Sequence, residues 1–327
     1  MGNFNILFTS AGRRVSLIRH FKRVIQDMKL KGNIVVADLQ KNAPALFVAD
    51  IQEQVPRVTD PNYIKTLKEI CIRHDIRLLI PLIDNELILL AIHKQEFESQ
   101  GTTMLVSSPE VNEICFDKRK TYRFFKDIGV QTPELFDAQQ LTGNLDTQYP
   151  VLIKPADGSC SIGVTKIRNA KELGFFTDYI ANAIVQEYIE GDEYTLDILI
   201  DFGGKVLSVV PRLRMETRAG EVSKGMTVKN QFIIEAGRKV AEALPQALGC
   251  ITLQCFLTKT GDLKFIEINP RFGGGFPLAI AAGADFPRWI IEMMLGKQRG
   301  IPVDAWQDGV VMLRYDDAIF LTKEMIS

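Results

Sequence analysis

Residues Glu267–Pro277 read EINPRFGGGFP: a carboxylate, a carboxamide and a guanidinium within five positions, followed at once by three glycines. The stretch continues from LKFI (263–266), a short apolar run that reads as a buried strand. Side chains alternate along a strand, so Glu267, Asn269 and Arg271 share one face. Just upstream, ITLQCFL (251–257) is a second strand, and a turn centred near Thr260 and Gly261 brings Gln254 opposite Glu267. The oxygens of Gln254, Glu267 and Asn269 then converge, a donor set suited to a hard cation, with Arg271 adding a permanent positive charge. Polar groups on the inner face of a core sheet are costly without partners. A metal ion and a phosphate would supply them.

The chain has 327 residues, enough for two or three domains, with 46% hydrophobic and 24% charged residues, as in an ordinary globular protein. Its net charge of -1 gives no electrostatic argument for nucleic acid or an anionic membrane. No apolar run approaches the ~20 residues of a membrane-spanning helix, and the first residues lack the apolar core of a signal peptide. Five cysteines without paired spacing suit a reducing cytoplasm. With only three histidines, each in or beside a helix-like segment, a zinc site or a serine–histidine triad is a poor fit. Oxygen ligands point instead to Mg2+ or Mn2+.

Along residues 1–107 strand-like and helix-like segments alternate: FNILFT (4–9), NIVVAD (33–38), RLLIPL (77–82) and TMLVS (103–107), with helical periodicity between them. This predicts a doubly wound parallel sheet, α/β in class. Ser108 and Pro109 open a helix, and another runs over Tyr122–Phe125 to stop near Gly129. From YPVLIKP (149–155) onward the strands are joined by short turns, which predicts antiparallel sheet in two α+β parts, 108–185 and 186–327.

Three further segments bear on function. VLIKPADGSCSIGV (151–164) places Lys154 at a strand end before small residues (Gly158, Ser159, Cys160, Ser161, Gly163) whose backbone N–H groups could cradle phosphate, or which form a plain hairpin turn. IVQEYIEGDEYTLDIL (184–199) puts Gln186–Ile189 at a strand edge, where a base could pair with backbone, and Glu193 at the next strand start; an acidic hairpin is the plainer reading. TSAGRR (9–14) with Asp38 imitates a dinucleotide site, but only Gly12 stands in the turn, short of the spacing that NAD(P) binding requires. Arg13 and Arg14 there either hold an anionic substrate group or are merely solvated.

Taken in order, DKRKTYRFFKDIGVQTP, YPVLIKPADGSCSIGV, VQEYIEGDEYTLDIL and LQCFL…FIEINPRFGG, behind an α/β domain, resemble the ATP-grasp superfamily over nearly the whole chain. The similarity is greatest to a half of the carbamoyl-phosphate synthetase large subunit and to carboxylate–amine ligases. The resemblance implies a pre-ATP-grasp domain followed by an ATP-grasp module. It implies that Lys118 and Lys154 contact ATP phosphates under a loop that includes Ser159, Ser161, Ile162 and Gly163. It places Glu187, Tyr188 and Ile189 at the adenine hinge and Glu193 at the ribose. Gln254, Glu267 and Asn269 would hold Mg2+, Arg271 would stabilise the transferring phosphoryl group, and Gly273–Gly275 would let backbone approach the substrate.

The expected function is an ATP-dependent ligase that activates a small-molecule carboxylate as an acylphosphate for attack by an amine. PRLRMETRAGEVSKG (211–225), between strands, offers Arg212, Arg214 and Lys224 as substrate contacts, or is a solvated basic loop. The competing readings are a non-catalytic ATP-binding regulatory protein and an NAD(P)-dependent oxidoreductase. A homodimer fits all of them.

Overall fold

The structure is a computed structural model and describes residues 3–137, 141, 149–158, 163–297 and 305–326. Strands β1 (Asn5–Thr9) and β2 (Ile34–Asp38) are buried at every position, as a parallel sheet covered on both faces requires. Helix α1 (Val15–Asp27) lies against them through Leu17, Ile18, Phe21, Val24 and Ile25, the stripe of an amphipathic helix. The first unit continues with β3 (Ile51–Gln54), α2 (Tyr63–Arg73), β4 (Ile76–Pro81), α3 (Asp84–Ile92), α4 (Lys94–Glu98) and β5 (Thr103–Met104). Its five strands run parallel in the order β3-β2-β1-β4-β5.

The order reverses between β1 and β4. At such a switch point the turns after the two strands diverge and leave a crevice at their carboxyl ends. Glu86, fully buried, ties these turns together: it accepts from Thr9 Oγ1 (3.0 Å), Ser10 Oγ (3.1 Å), Tyr63 Oη (2.5 Å) and the Leu82 amide (3.2 Å). Burial pushes its carboxyl above the ordinary range against those donors. The result is a fixed rim that carries Arg14 on one side and Asp84 on the other.

Helices α5 (Pro109–Phe116) and α6 (Lys118–Asp127) follow, the first capped by Ser108, whose Oγ accepts from the Val111 amide. Strands β6 (Leu135–Phe136), β7 (Val151–Pro155), β8 (Thr165–Ile167) and β9 (Ala183–Glu187), with α7 (Ala170–Tyr179), form a four-stranded antiparallel sheet in the order β6-β9-β7-β8. It has its own small core of Val151, Ile153, Ile167, Leu173 and Val185. Strands β10 (Gly191–Ile200), β11 (Val206–Arg218) and β12 (Glu221–Thr227), helix α8 (Gln231–Ala243), and strands β13 (Gly249–Thr258) and β14 (Leu263–Asn269) come next. Helices α9 (Pro277–Ala281) and α10 (Phe286–Met294) and strand β15 (Val311–Leu313) follow, and a 3-10 turn covers Lys323–Met325. The large antiparallel sheet is ordered β14-β13-β10-β11-β12-β15.

One hydrophobic core joins the first unit to the large sheet. Phe8, Phe21, Phe272, Phe276 and Phe286 form a chain of ring contacts with centroids 4.8–5.9 Å apart. Edge-to-face and tilted packing of this kind adds to plain area burial. It anchors the turn after β14 against α1.

The mixed α/β fold class is as expected. Three details differ from the sequence reading. Strand β3 was not foreseen: its IQEQ sequence is half-exposed, as suits a sheet edge. The basic segment 211–225 is not a loop between strands, because β11 runs on to Arg218 and β12 begins at Glu221, with a tight turn at Ala219 and Gly220, both at positive φ. The four-stranded sheet extends through Glu187, past the expected division at 185/186, and Phe125 of α6 packs on Phe265 of β14 rather than on that sheet.

Candidate functional site

The β13–β14 hairpin turns at Gly261 (φ +88°) and pairs Gln254 with Glu267, as the sequence indicated. Immediately beyond, the register shifts so that Cys255 faces Phe265, which leaves Ile266 as a bulge. Lys264 and Glu267, an odd number of positions apart, thereby both reach toward the four-stranded sheet. Lys264 Nζ meets Glu187 Oε1 at 2.6 Å, and Glu267 lies within electrostatic reach of Lys154.

Asn269 pairs with Thr252, whose Oγ1 donates to the Arg271 carbonyl at 3.0 Å. The Arg271 guanidinium donates through Nη2 to Asp84 Oδ2 at 2.6 Å and to Asn269 Oδ1 at 3.2 Å. Asp84, at the start of α3, belongs to the parallel-sheet unit, so this contact seats the strand end on the crevice rim. Sequence reading missed Asp84. The signal was available, since it follows directly on the carboxyl end of a parallel strand, where α/β sheets place their ligands.

The three glycines answer to the side chains laid over them. A Cβ on Gly273 would come within 3.0 Å of Thr252 Oγ1. One on Gly274 would meet Arg14 Nη1 at 2.6 Å and Glu221 Oε1 at 3.0 Å, and one on Gly275 would meet Arg212 Nη1 at 2.4 Å and Val222 Cγ1 at 2.5 Å. At Gly275 the crowding comes from the buried Arg212 and Val222, whereas at Gly274 it comes from the movable ends of Arg14 and Glu221.

Arg212 and Asp197 form a bidentate pair at 2.6 and 3.1 Å, with side chains 1% and 0% exposed. Burial raises the Asp197 carboxyl, Arg212 opposing. This is an anchored pair, and among the described residues Nη1 of Arg212 has no hydrogen-bond partner. Arg214 contacts Glu193 at 3.2 Å, at an angle that makes an ion pair rather than a hydrogen bond, and donates through Nη2 to the Gly220 carbonyl. Burial raises Glu193, Arg214 opposes, and Glu267 adds to the rise. Lys224 is the exception: it is exposed, paired with Glu216 at 2.7 Å, and outside the cleft.

At the other end, Lys154 is 7% exposed. Burial pulls its ammonium down to about 8, with Glu267 opposing and Lys118 reinforcing the fall. Lys118 starts α6, donates its amide to Ala156 O and its Nζ to Gly158 O, both at 2.8 Å, and so faces the glycine loop. Gly158 and Gly163 both have positive φ; Ser159, Cys160, Ser161 and Ile162 lie outside the described residues. Of the residues expected near the base, Glu187 has its carboxylate occupied by Lys264 (2.6 Å) and the Glu134 amide (3.2 Å), and its own amide donates to the Glu134 carbonyl (2.8 Å). The Tyr188 ring lies 3.8 Å beneath Lys166 Nζ, and Ile189 follows before β10 begins.

The cleft itself measures about 100 Å³ and is lined by Gln254, Glu267, Asn269, Arg271, Gly273–Gly275 and Arg14, among others. Among the described residues no three His, Cys, Asp or Glu side chains gather as a metal cluster. The expected set offers one carboxylate and two amides. Those oxygens fit a Mg2+ that arrives with nucleotide phosphates rather than one held by protein alone. The dinucleotide alternative loses its acidic anchor, because Asp38 already accepts from the Gly12 amide (2.8 Å) and the Gln40 amide (2.9 Å). No helix among the described residues is long and apolar enough to cross a membrane.

Comparison with known proteins bears on the family and the fold. Residues 115–275 match the family described as "ATP-grasp domain", and residues 6–105 match "PylC-like, N-terminal domain". A D-alanine–D-alanine ligase of Fusobacterium nucleatum is 27% identical over 170 residues, which are 49% of this chain and 58% of that protein. A carbamoyl-phosphate synthase of Methanobrevibacter smithii is 25% identical over 280 residues, 80% of this chain and 74% of that protein. Among solved structures, the biotin carboxylase domain of Hydrogenobacter thermophilus 2-oxoglutarate carboxylase superposes with a TM-score of 0.74. That likeness, at 17% identity over 95% of this chain and 74% of the other, is one of fold. The chain thus carries an ATP-grasp domain behind a PylC-like N-terminal domain, with a cleft where the two meet.

Proposed function

We propose that the protein is an ATP- and Mg2+-dependent ligase that joins a small-molecule carboxylate to an amine through an acylphosphate. The observation that supports this best is the meeting of Glu267, opposite Gln254 in register, with Lys154 from the other antiparallel sheet. One carboxylate with amide oxygens on one wall and a buried ammonium on the other is what a triphosphate and its metal need. Bare nucleotide binding does not call for the further guanidinium of Arg271, held at the same point by Asp84 and Asn269.

Lys118 and Lys154 hold the phosphates, and the backbone at Glu187–Ile189 faces the base, with Glu193 at the sugar. Gln254, Glu267 and Asn269 would hold Mg2+, which when bound neutralises charge on the β- and γ-phosphates. A substrate carboxylate oxygen attacks the γ-phosphorus, the bond to the β,γ-bridging oxygen breaks, and ADP leaves. Arg271 lies where negative charge grows during that transfer. The amine nitrogen then attacks the acyl carbon and expels inorganic phosphate, giving an amide. Water must be kept out between the two steps, since it would hydrolyse the acylphosphate.

Within this class, kinship to carbamoyl-phosphate synthase is the finer assignment; its support is the alignment of 80% of this chain to the M. smithii enzyme. A homodimer in the cytoplasm completes the proposal. The test is ADP release and hydroxamate formation with hydroxylamine as a general nucleophile, over a panel of carboxylic acids. Carboxylate-dependent ADP release that disappears in Glu267→Gln is expected. ADP release that ignores the carboxylate, or survives in Glu267→Gln, contradicts the assignment.

A further inference from the structure

Four arginines line or border the cleft with a carboxylate already in hand: Arg212 with Asp197, Arg214 with Glu193, Arg271 with Asp84, and Arg314 with Glu221. Arg14 is different. Its half-buried guanidinium projects from the first unit into the cleft, and among the described residues it makes no side-chain hydrogen bond or ion pair. Burial, with Arg271 nearby, pulls it down to about 10, while Glu221 and Asp84 oppose that fall. A cation kept charged at neutral pH in a partly closed cleft, with no counter-ion in contact, is set up for an anion from outside.

Glu221 supplies the complement. Its Oε2 accepts from Arg314 at 3.1 Å. Its Oε1 makes no hydrogen bond among the described residues and lies over Gly274 together with Arg14 Nη1. Burial alone would raise this carboxyl, but Arg14 and Arg314 outweigh it and hold it below its ordinary value, so it is an anion at neutral pH. One open guanidinium and one open carboxylate oxygen thus flank a backbone without a side chain, beside Arg271.

We infer that this pair recognises a zwitterion: the carboxylate substrate is an α-amino acid, with its carboxylate on Arg14 next to Arg271 and its ammonium on Glu221 Oε1. Arg14 then determines specificity from the parallel-sheet unit, outside the ATP-grasp motifs. The inference rests on the proposed ligase activity. A simple carboxylate would leave Glu221 Oε1 unmatched, and an amine without a carboxylate would leave Arg14 unmatched.

The experiment measures ADP release with hydroxylamine as nucleophile for three series: free α-amino acids, their α-amides, and the matching acids without the amino group. Calorimetry of ATP with Mg2+ runs alongside. The expected result is turnover with at least one free amino acid, none with its amide, and at least a tenfold lower kcat/KM for the acid without the amino group. Arg14→Gln should raise the KM for that amino acid at least tenfold and leave ATP affinity within twofold, with Arg14→Lys recovering part of the loss. Glu221→Gln should erase the preference for the amino acid over its des-amino counterpart. Turnover with simple carboxylates but no amino acid, or an unchanged amino-acid KM in folded Arg14→Gln, overturns this inference and leaves the ligase reading standing. Absence of turnover with every carboxylate overturns both.

Discussion

Arg212→Met is the perturbation that best separates architecture from substrate contact. The arginine is 1% exposed and makes two hydrogen bonds to Asp197, itself fully enclosed. Methionine fills much of the same volume but leaves Asp197 without its counter-charge. Removing one partner of a buried pair costs about 3–5 kcal/mol, because the orphaned charge stays buried. A loss of that size should appear as a lower denaturant midpoint with an unchanged m-value. The sign of the pH dependence follows from Asp197. Its folded carboxyl already titrates above the unfolded value, with Arg212 opposing that rise. The folded chain therefore binds this proton more tightly, and stability falls as pH rises through the window above the ordinary Asp value. Without Arg212 the window extends upward, so the deficit relative to wild type should shrink as pH is lowered. Arg212→Met with Asp197→Leu should recover most of the loss, since an apolar pair of similar volume often replaces a buried ion pair. A loss under about 1 kcal/mol, or a deficit independent of pH, refutes the anchoring role and returns Arg212 to the substrate.

Lys154 sets an alkaline limit: its ammonium is pulled down to about 8 in the free protein, so kcat/KM for ATP should fall with unit slope as pH rises through that value. Lys154→Arg should keep the charge and move the limb upward, as a pH profile will show. Asp84→Asn keeps the hydrogen-bonding shape but drops the charge facing Arg271; kcat should fall roughly 10- to 100-fold, with ATP affinity from calorimetry little changed. Gly275→Ala puts a methyl 2.4 Å from Arg212 Nη1 and 2.5 Å from Val222 Cγ1. Because Arg212 is pinned, the expected cost in chemical denaturation is about 1–3 kcal/mol from overpacking.

What was legible in the sequence follows from how local the causes are. β1 and β2 read correctly because a strand buried on both faces is a continuous apolar run. The Gln254–Glu267 register read correctly because a short turn at Gly261 fixes it within one hairpin. Glu216 and Arg218 misled, because a strand end whose alternate positions are charged looks like a surface loop until its partner strand is found beside it. The Asp84–Arg271 contact spans 187 positions, and no spacing rule reaches that far. Even the bulge at Ile266, which turns Lys264 and Glu267 to the same side, leaves no mark in residue type.

The central claim is that a carboxylate oxygen attacks the γ-phosphoryl group. With a substrate carrying 18O in both carboxylate oxygens, and hydroxylamine or the natural amine as nucleophile, mass spectrometry of the released inorganic phosphate tests it directly. Transfer through an acylphosphate places one 18O in each phosphate formed. Phosphate free of label, while ADP and amide still accumulate, would contradict the account.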